Sequence, residues 1–185
     1  MLESKRSRFE SSMSPHMGAA YNLARWLTRN DHDAEDVVQE AMLRAFTFFD
    51  GFRGTDPRSW ILKIVRNTCF TWLQANRPTE IITTEVDELS DLSPMLSCSS
   101  LIDDPETVAL RKTEARQVDA AIASMSTMFR EIIVLREIEG LSYKEIANVI
   151  DTPIGTVMSR LARARSEIRH ALIRAGDPGN RRGTR

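Results

Sequence analysis

From Pro78 to Ala109 the chain carries eight Asp and Glu and not one Lys or Arg. Three prolines (Pro78, Pro94 and Pro105) punctuate this stretch, among many Ser and Thr. Its apolar residues Ile81, Ile82, Val86, Leu89, Leu92, Met95 and Leu96 keep neither a 3.6-residue nor a two-residue period, so they cannot give a helix or strand one continuous buried face. The segment therefore reads as a linker. It holds enough apolar side chains to order against a partner. A break of this kind divides 185 residues into two small units, and each must build its own core from short elements.

The flanks differ from the linker in charge. Residues 1–77 carry 11 Lys and Arg against 9 Asp and Glu, and residues 110–185 carry 14 against 9. The overall net charge of −1 thus conceals a basic block on each side of an acidic one, a pattern suited to polyanion contact. Two cysteines, Cys69 and Cys98, form no CxxC and have no neighbouring His. That excludes a zinc site by spacing and leaves two ordinary reduced thiols, with a disulfide across the linker possible and unsupported. The charged start, Met1 to Arg8, has no apolar stretch of the secretory type, and no apolar run approaches the roughly 20 residues needed to span a bilayer.

Residues 1–77 read as three or four helices. Ser14-Pro15 is a start signal for a helix running to about Asn30. Ala34, Val37, Val38, Ala41, Met42, Ala45, Phe46 and Phe49 then recur at i, i+3, i+4, i+7 spacing, one apolar stripe. Asp33 is the expected N-cap there, with Glu35 and Asp36 in the first turn. Asp36, Gln39, Glu40 and Arg44 occupy the opposite side. Asp50-Gly51-Phe52-Arg53-Gly54 breaks the pattern as a turn. A further helix from near Pro57 to about Asn76 buries Trp60, Ile61, Ile64 and Val65.

Beyond the linker, helices are expected over about Pro105 to Ser124 and Thr127 to Glu137, with Gly140 ending that unit. Ser142 and Glu145 form a capping box at the start of a short helix. After Asp151, Thr152-Pro153 restarts a long helix reaching about Arg174. A short helix, a tight turn and a long helix make a helix-turn-helix. The long helix is two-faced. Val157, Leu161, Ala164 and Ile168 share one side, while Thr156, Ser159, Arg160 and Arg163 share another, with Arg165 and Arg169 close by. That is the layout of a recognition helix, which docks on its own core and offers donors to a major groove. A merely solvated basic face gives the same pattern; the capped helix and turn before it favour DNA.

The run Gly140 to Ala147, followed by Pro153 to Arg165, resembles region 4 of extracytoplasmic-function (ECF) sigma factors of the sigma-70 superfamily, of the sigma-E-like kind. Asp33 to Glu40 resembles their region 2 core. Phe52-Arg53-Gly54, Trp60-Ile61 and Arg66-Asn67 also match. The resemblance spans nearly the whole chain, in the same order.

It implies an all-α fold. Region 2 would cover 1–77, the linker 78–105, region 4 106–176, and a disordered tail 177–185. It also implies a transcription initiation factor, not an enzyme, with no cofactor, metal or small-molecule substrate. Its partners would be promoter DNA, the RNA polymerase core through the largest subunit's clamp helices and the flap, and an anti-sigma factor. Asp36, Gln39, Glu40 and Arg44 would meet the clamp helices. Phe52, Arg53 and Asn67 would capture a base flipped from the −10 element, with Lys63 and Arg66 holding phosphates. Met158, Ser159, Ala162 and Arg163 would read the −35 element, with Arg160 and Arg165 on phosphates and Thr156 on the same helical face. Thr71 and Gln74 stand where many relatives have an acid and an Arg, which puts the detailed −10 preference in doubt.

Other readings remain open at this stage. Phe52 is equally readable as a core plug under its loop, and the Asp36 face as a solvated helix side. Trp60 and Trp72 read as core. The resemblance threads the linker near the polymerase's RNA path, where its acids would mimic nucleic acid; a solvated spacer fits the composition as well. A sigma-like decoy that titrates an anti-sigma factor without reading promoters is the alternative function, and Ser159, Arg163 and the flanking arginines argue against it. An ordinary helix-turn-helix repressor would leave the Asp33–Glu40 run unexplained. His16, His32 and His170 are scattered and no nucleophile–base pair or phosphate loop is present, so an enzyme is disfavoured. The expected location is the cytoplasm, at the nucleoid when active, with tethering to a membrane only through an anti-sigma factor and no insertion of its own.

Overall fold

The computed structural model describes residues 4–78 and 115–176, and these are helical with no strand among them. The order is α1 (Lys5–Met13), α2 (Met17–Thr28), α3 (Asp31–Phe48), α4 (Pro57–Asn76), a helical stretch α5 over 115–123, α6 (Thr127–Ile133), α7 (Tyr143–Ile150) and α8 (Ile154–Gly176). Single turns of 3₁₀ helix, Ser14–His16 and Phe49–Gly51, extend α1 and α3, and a π turn, Val134–Ile138, extends α6. The linker, its acids and Cys98 lie outside the described residues.

Local chemistry explains most boundaries. The α4 start combines Pro57 at the first position with Asp56 as N-cap, whose side chain accepts from the Ser59 N–H at 3.0 Å; the missing proline N–H costs nothing there. At α7 the capping box is complete: Ser142 Oγ accepts from the Glu145 N–H and the Glu145 carboxylate accepts from the Ser142 N–H at 2.7 Å. Asp151 closes α7 in the left-handed region (φ 54°) and Gly140 does the same job after α6 (φ 69°). Asp is one of the few side-chain-bearing residues that accept this conformation readily.

Three expectations change. The chain does not begin its first helix at Ser14: α1 precedes it, capped by Ser4, with only Phe9 and Met13 buried. Ser14-Pro15 instead forms the 3₁₀ turn into α2. The N-cap of α3 is Asn30, not Asp33, because Asn30 Oδ1 accepts from both the His32 and Asp33 N–H groups. Asp33 sits inside the first turn, where it meets the helix dipole and pairs with Arg77 at 3.4 Å. In the α3 stripe, Ala34, Val37, Val38, Ala41 and Ala45 are buried, whereas Phe46 lies on the surface, edge-on to Phe9 at 5.2 Å.

The two halves are not separate bodies. One contiguous buried cluster runs from Leu23, Leu27, Val37, Ile61 and Val65 through Ile132, Ile133 and Leu135 to Ile146, Val157 and Leu161. α2 and α4 of the first half pack against α6 and α7 of the second. Polar bonds reinforce the seam. The buried Arg130 donates to the Trp26 carbonyl at the end of α2 (3.2 Å) and to the carbonyls of Ala123 and Met125. Arg66 of α4 pairs with the fully buried Glu131 at 2.6 Å.

Asp56 gives the fold a measurable acid sensitivity. Burial opposes its charge, but hydrogen bonds from Ser59 and the Arg58 N–H, with His16 nearby, hold its carboxyl below the ordinary range. A depressed carboxylate stabilises above its unfolded value, about 3.9, and the contribution fades as pH falls through the lower folded value. Asp56→Ala is expected to cost about 1 kcal/mol at neutral pH, or a melting shift of about 3 °C. Calorimetry at descending pH should show the gap from the parent closing below about pH 4.

Candidate nucleic-acid and partner interfaces

α8 presents the two faces its sequence requires. Val157, Leu161 and Ala164 are buried against α6 and α7, and Ile168 is half-buried. The opposite side is open: Met158, Ser159, Ala162, Arg163 and Arg165 are exposed, Thr156 and Arg160 half-buried. Met158 keeps 53% of its surface in water. Arg163 extends into solvent, whereas Arg165 is tied at 2.7 Å to Glu137. Arg160 leans inward enough for its charge to act on Glu131. The expected −35 set therefore shares one helix side, with Thr156, Arg160 and Arg165 at its margins.

The loop between α3 and α4 is organised by aromatic rings. Phe52 is half-buried, stacked on Phe49 (6.4 Å between centroids) and tilted against Trp60 at 4.7 Å. Gly54 makes room for it: a Cβ there would approach Phe52 Cε2 to 2.8 Å. The Phe52 ring is thus both a plug over Trp60 and partly open to solvent. Arg53 and Asn67 are exposed. An open cleft of about 810 Å³ lies beside this loop, lined by Gly54, Thr55, Trp60 and Lys63 on one side and by Asn148, Asp151, Thr152 and Ile154 on the other.

The phosphate-holding candidates Lys63 and Arg66 are engaged by the second half of the chain. Lys63 pairs with Asp151 at 3.4 Å and Arg66 with Glu131, while Arg66 also covers the Phe70 ring at 4.2 Å and donates to Asn67 Oδ1. Burial pushes the Glu131 carboxyl up, and the Arg66 and Arg160 guanidiniums pull it back.

Asp36, Gln39, Glu40 and Arg44 are all exposed along α3, with Arg44 donating to Glu40 one turn back. Beside them stand Leu43 and Phe48, 70% and 67% exposed. Sequence reasoning missed these two. Leu43 lies one turn from both Gln39 and Glu40 and off the buried stripe, a signal that an i, i+4 count would have found. A charged side bearing bare Leu and Phe is the composition of an interface core with a polar rim. Cys69 is fully buried, and burial pushes its thiol strongly up, which leaves it unreactive. Among the described residues no helix is long and apolar enough to cross a membrane.

Comparison with known proteins agrees with this layout. Residues 13–79 match the family model Sigma-70 region 2, and residues 115–168 match Sigma-70, region 4. The ECF RNA polymerase sigma-E factor of Haemophilus influenzae is 36% identical over 154 residues, covering 81% of this chain and 79% of that protein. The sigma-E factor of Escherichia coli K12 is 38% identical over 141 residues, covering 74% and 72%. Among solved structures, the sigma factor RpoE in complex with the anti-sigma factor NepR from Bartonella quintana superposes with a TM-score of 0.69 at 24% identity, over 89% of this chain and 96% of that one. CnrH in complex with the cytosolic domain of CnrY gives 0.61, also at 24% identity, over 94% and 92%.

The Phe52–Gly54 packing carries its own test. Gly54→Ala is expected to displace the Phe52 ring and lower the melting temperature by several degrees. Gly51→Ala, with open space around its Cβ, should melt within about 1 °C of the parent. Equal melting of both variants would refute the close approach.

Proposed function

This chain belongs to the ECF sigma factors of the sigma-70 family, and on that premise we propose that it docks on bacterial core RNA polymerase through α3, reads a −35 element with α8 and opens a −10 element with the α3–α4 loop. The observation that carries the reading is the open side of α8, where Met158, Ser159, Ala162 and Arg163 are exposed together above a buried Val157–Leu161–Ala164 face. Such a helix fits a major groove, with Ser159 and Arg163 offering hydrogen bonds and Met158 and Ala162 apolar contact with thymine methyls. Thr156, Arg160 and Arg165 flank it and would reach phosphates.

At the other element, Phe52 would leave Trp60 to stack on an extruded base, with Arg53 and Asn67 supplying polar contacts. Lys63 and Arg66 would hold the strand's phosphates. Asp36, Gln39, Glu40 and Arg44 would form the rim, and Leu43 and Phe48 the apolar centre, of the contact with the polymerase clamp helices; the second domain would meet the flap. The division of labour follows the boundaries expected from sequence: 1–77 for the polymerase and −10 element, 78–105 as acidic linker, 106–176 for the −35 element, 177–185 as tail. The RpoE–NepR and CnrH–CnrY complexes support an anti-sigma partner for this chain as well, one that would hold it inactive in the cytoplasm or at a membrane.

Reconstituted transcription tests the reading. With core polymerase and a pool of genomic promoter fragments, the protein should start RNA at sites sharing two spaced motifs. Arg163→Ala should cut initiation at those sites by about 10- to 100-fold, the loss of one base-reading contact of about 1–3 kcal/mol, while leaving core binding intact. No core binding and no specific starts would instead favour a decoy that titrates an anti-sigma factor.

A further inference from the structure

A nine-residue helix such as α1 is marginal in water by itself, so it forms where its side chains find partners. Those partners converge on one place, the 3₁₀ turn Phe49–Gly51 that ends α3 and leads into the Phe52 loop. The Phe9 ring, 8% exposed, meets Phe49 edge-on at 5.2 Å and Phe46 edge-on at the same distance. Lys5 pairs with Asp50 at 2.7 Å and lies over the Phe46 ring at 4.9 Å, and Arg8 approaches the other Asp50 oxygen at 3.7 Å. Phe49 in turn stacks on Phe52, and both rings lean on Trp60. The Phe52 N–H donates to the Phe49 carbonyl at 3.0 Å, so ring and backbone of Phe52 both take their position from Phe49. Lys5, Arg8 and Phe9 all precede the stretch 13–79 that matches region 2.

We infer that Lys5, Arg8 and Phe9 are positioning residues for the Phe52 ring: α1 clamps the Phe49–Gly51 turn and so sets where that ring stands when a −10 base is extruded. The inference deepens, and rests on, the assignment of Phe52 to base capture proposed above. Its physical ground is the order of the rings. Edge-on and stacked aromatic pairs are directional, so Phe9 fixes the tilt of Phe49 as well as burying it. Phe52 must leave Trp60 to receive a base, and Phe49 is then the ring neighbour that stays. α1 holds Phe49 by its ring and the adjoining Asp50 by its charge. Without the clamp, the turn and its ring would have to be ordered at the moment of capture, an entropic cost that preorganisation avoids.

The test uses holoenzyme assembled from the full-length protein and core polymerase, on a promoter found by the reconstituted transcription above. The extruded −10 position carries 2-aminopurine, which brightens on unstacking. Phe9→Leu keeps apolar bulk and removes the ring. It should lower the open-complex signal about fivefold while leaving closed-complex binding to the same duplex, measured in the cold, unchanged. Arg6→Ala removes a pair with Glu10 inside α1 and should open within about twofold of the parent. Phe9→Leu added to Phe52→Leu should lower opening no further, because a positioning residue acts through the ring it positions. Additive losses would make α1 a general support of the domain and overturn the inference, as would full opening by Phe9→Leu. Asp50→Lys leaves the buried rings untouched and carries the test if Phe9→Leu melts early. Opening should fall about threefold and recover when Lys5→Asp is added, which re-forms the pair with its signs exchanged; no fall, or no recovery, would overturn the inference. A parent that fails to initiate would count against the assignment of Phe52 to base capture, and the positioning would still be decided in the free protein. With the seven phenylalanines replaced by 4-fluorophenylalanine, and the Phe52 signal assigned by its loss in Phe52→Leu, Asp50→Lys should move that fluorine resonance and Lys5→Asp should return it. An unmoved resonance would overturn the clamp.

Discussion

Two adjacent residues of α6, Arg130 and Glu131, hold the architecture together. Both are buried, and both reach across to the first half of the chain, Arg130 to the Trp26 carbonyl and Glu131 to Arg66. A guanidinium or a carboxylate taken out of water costs several kcal/mol unless its partners are supplied. α6 therefore settles only where the end of α2 and the middle of α4 provide them. Apolar packing of Ile132, Ile133 and Leu135 supplies the bulk of the burial energy, but it is directionless. The paired charges fix which turn of α6 faces which turn of α4. Removing Arg66 leaves the Glu131 carboxylate buried without its guanidinium donor, at a cost of about 3–5 kcal/mol.

The function proposed above would give α4 two sets of partners. In the free chain its cations are neutralised by the second domain; in an initiation complex the same cations would face promoter phosphates. Exposed pairs such as Lys63–Asp151 contribute little to stability by themselves. The α3 surface is different. Asp36, Gln39, Glu40, Arg44, Leu43 and Phe48 all stay exposed while the halves are packed together, so the polymerase contact proposed for them would need no separation of the halves.

Much of this was legible in the residues themselves. Short-range signals held: the Ser142–Glu145 box, the Pro57 start and the Val157–Leu161–Ala164 face each depend on neighbours within a turn or two. α1 escaped notice because only Phe9 and Met13 are buried, too few to mark an apolar stripe. Asn30 was overlooked as a cap because Asp33, three residues later, is an equally good capping residue type. Phe46 was assigned to the core by its spacing, yet it rests at the edge against Phe9, a helix that the periodicity had not revealed. The seam was beyond reach for a different reason. Arg66 and Glu131 are 65 residues apart and Arg58 and Glu139 are 81 apart, and helical periodicity reports which face is buried but not against what.

The most direct test is a distance measured across the seam. Spin labels at Thr47 on α3 and Arg169 on α8, both exposed, can be introduced as cysteines with Cys98 replaced by Ser, while the fully buried Cys69 takes no label. Pulsed dipolar spectroscopy on the free protein should give one narrow distance distribution, shifting to a longer one on addition of core polymerase. A broad distribution in the free protein, unchanged by polymerase, would mean that the halves move independently and that the shared core does not hold them together.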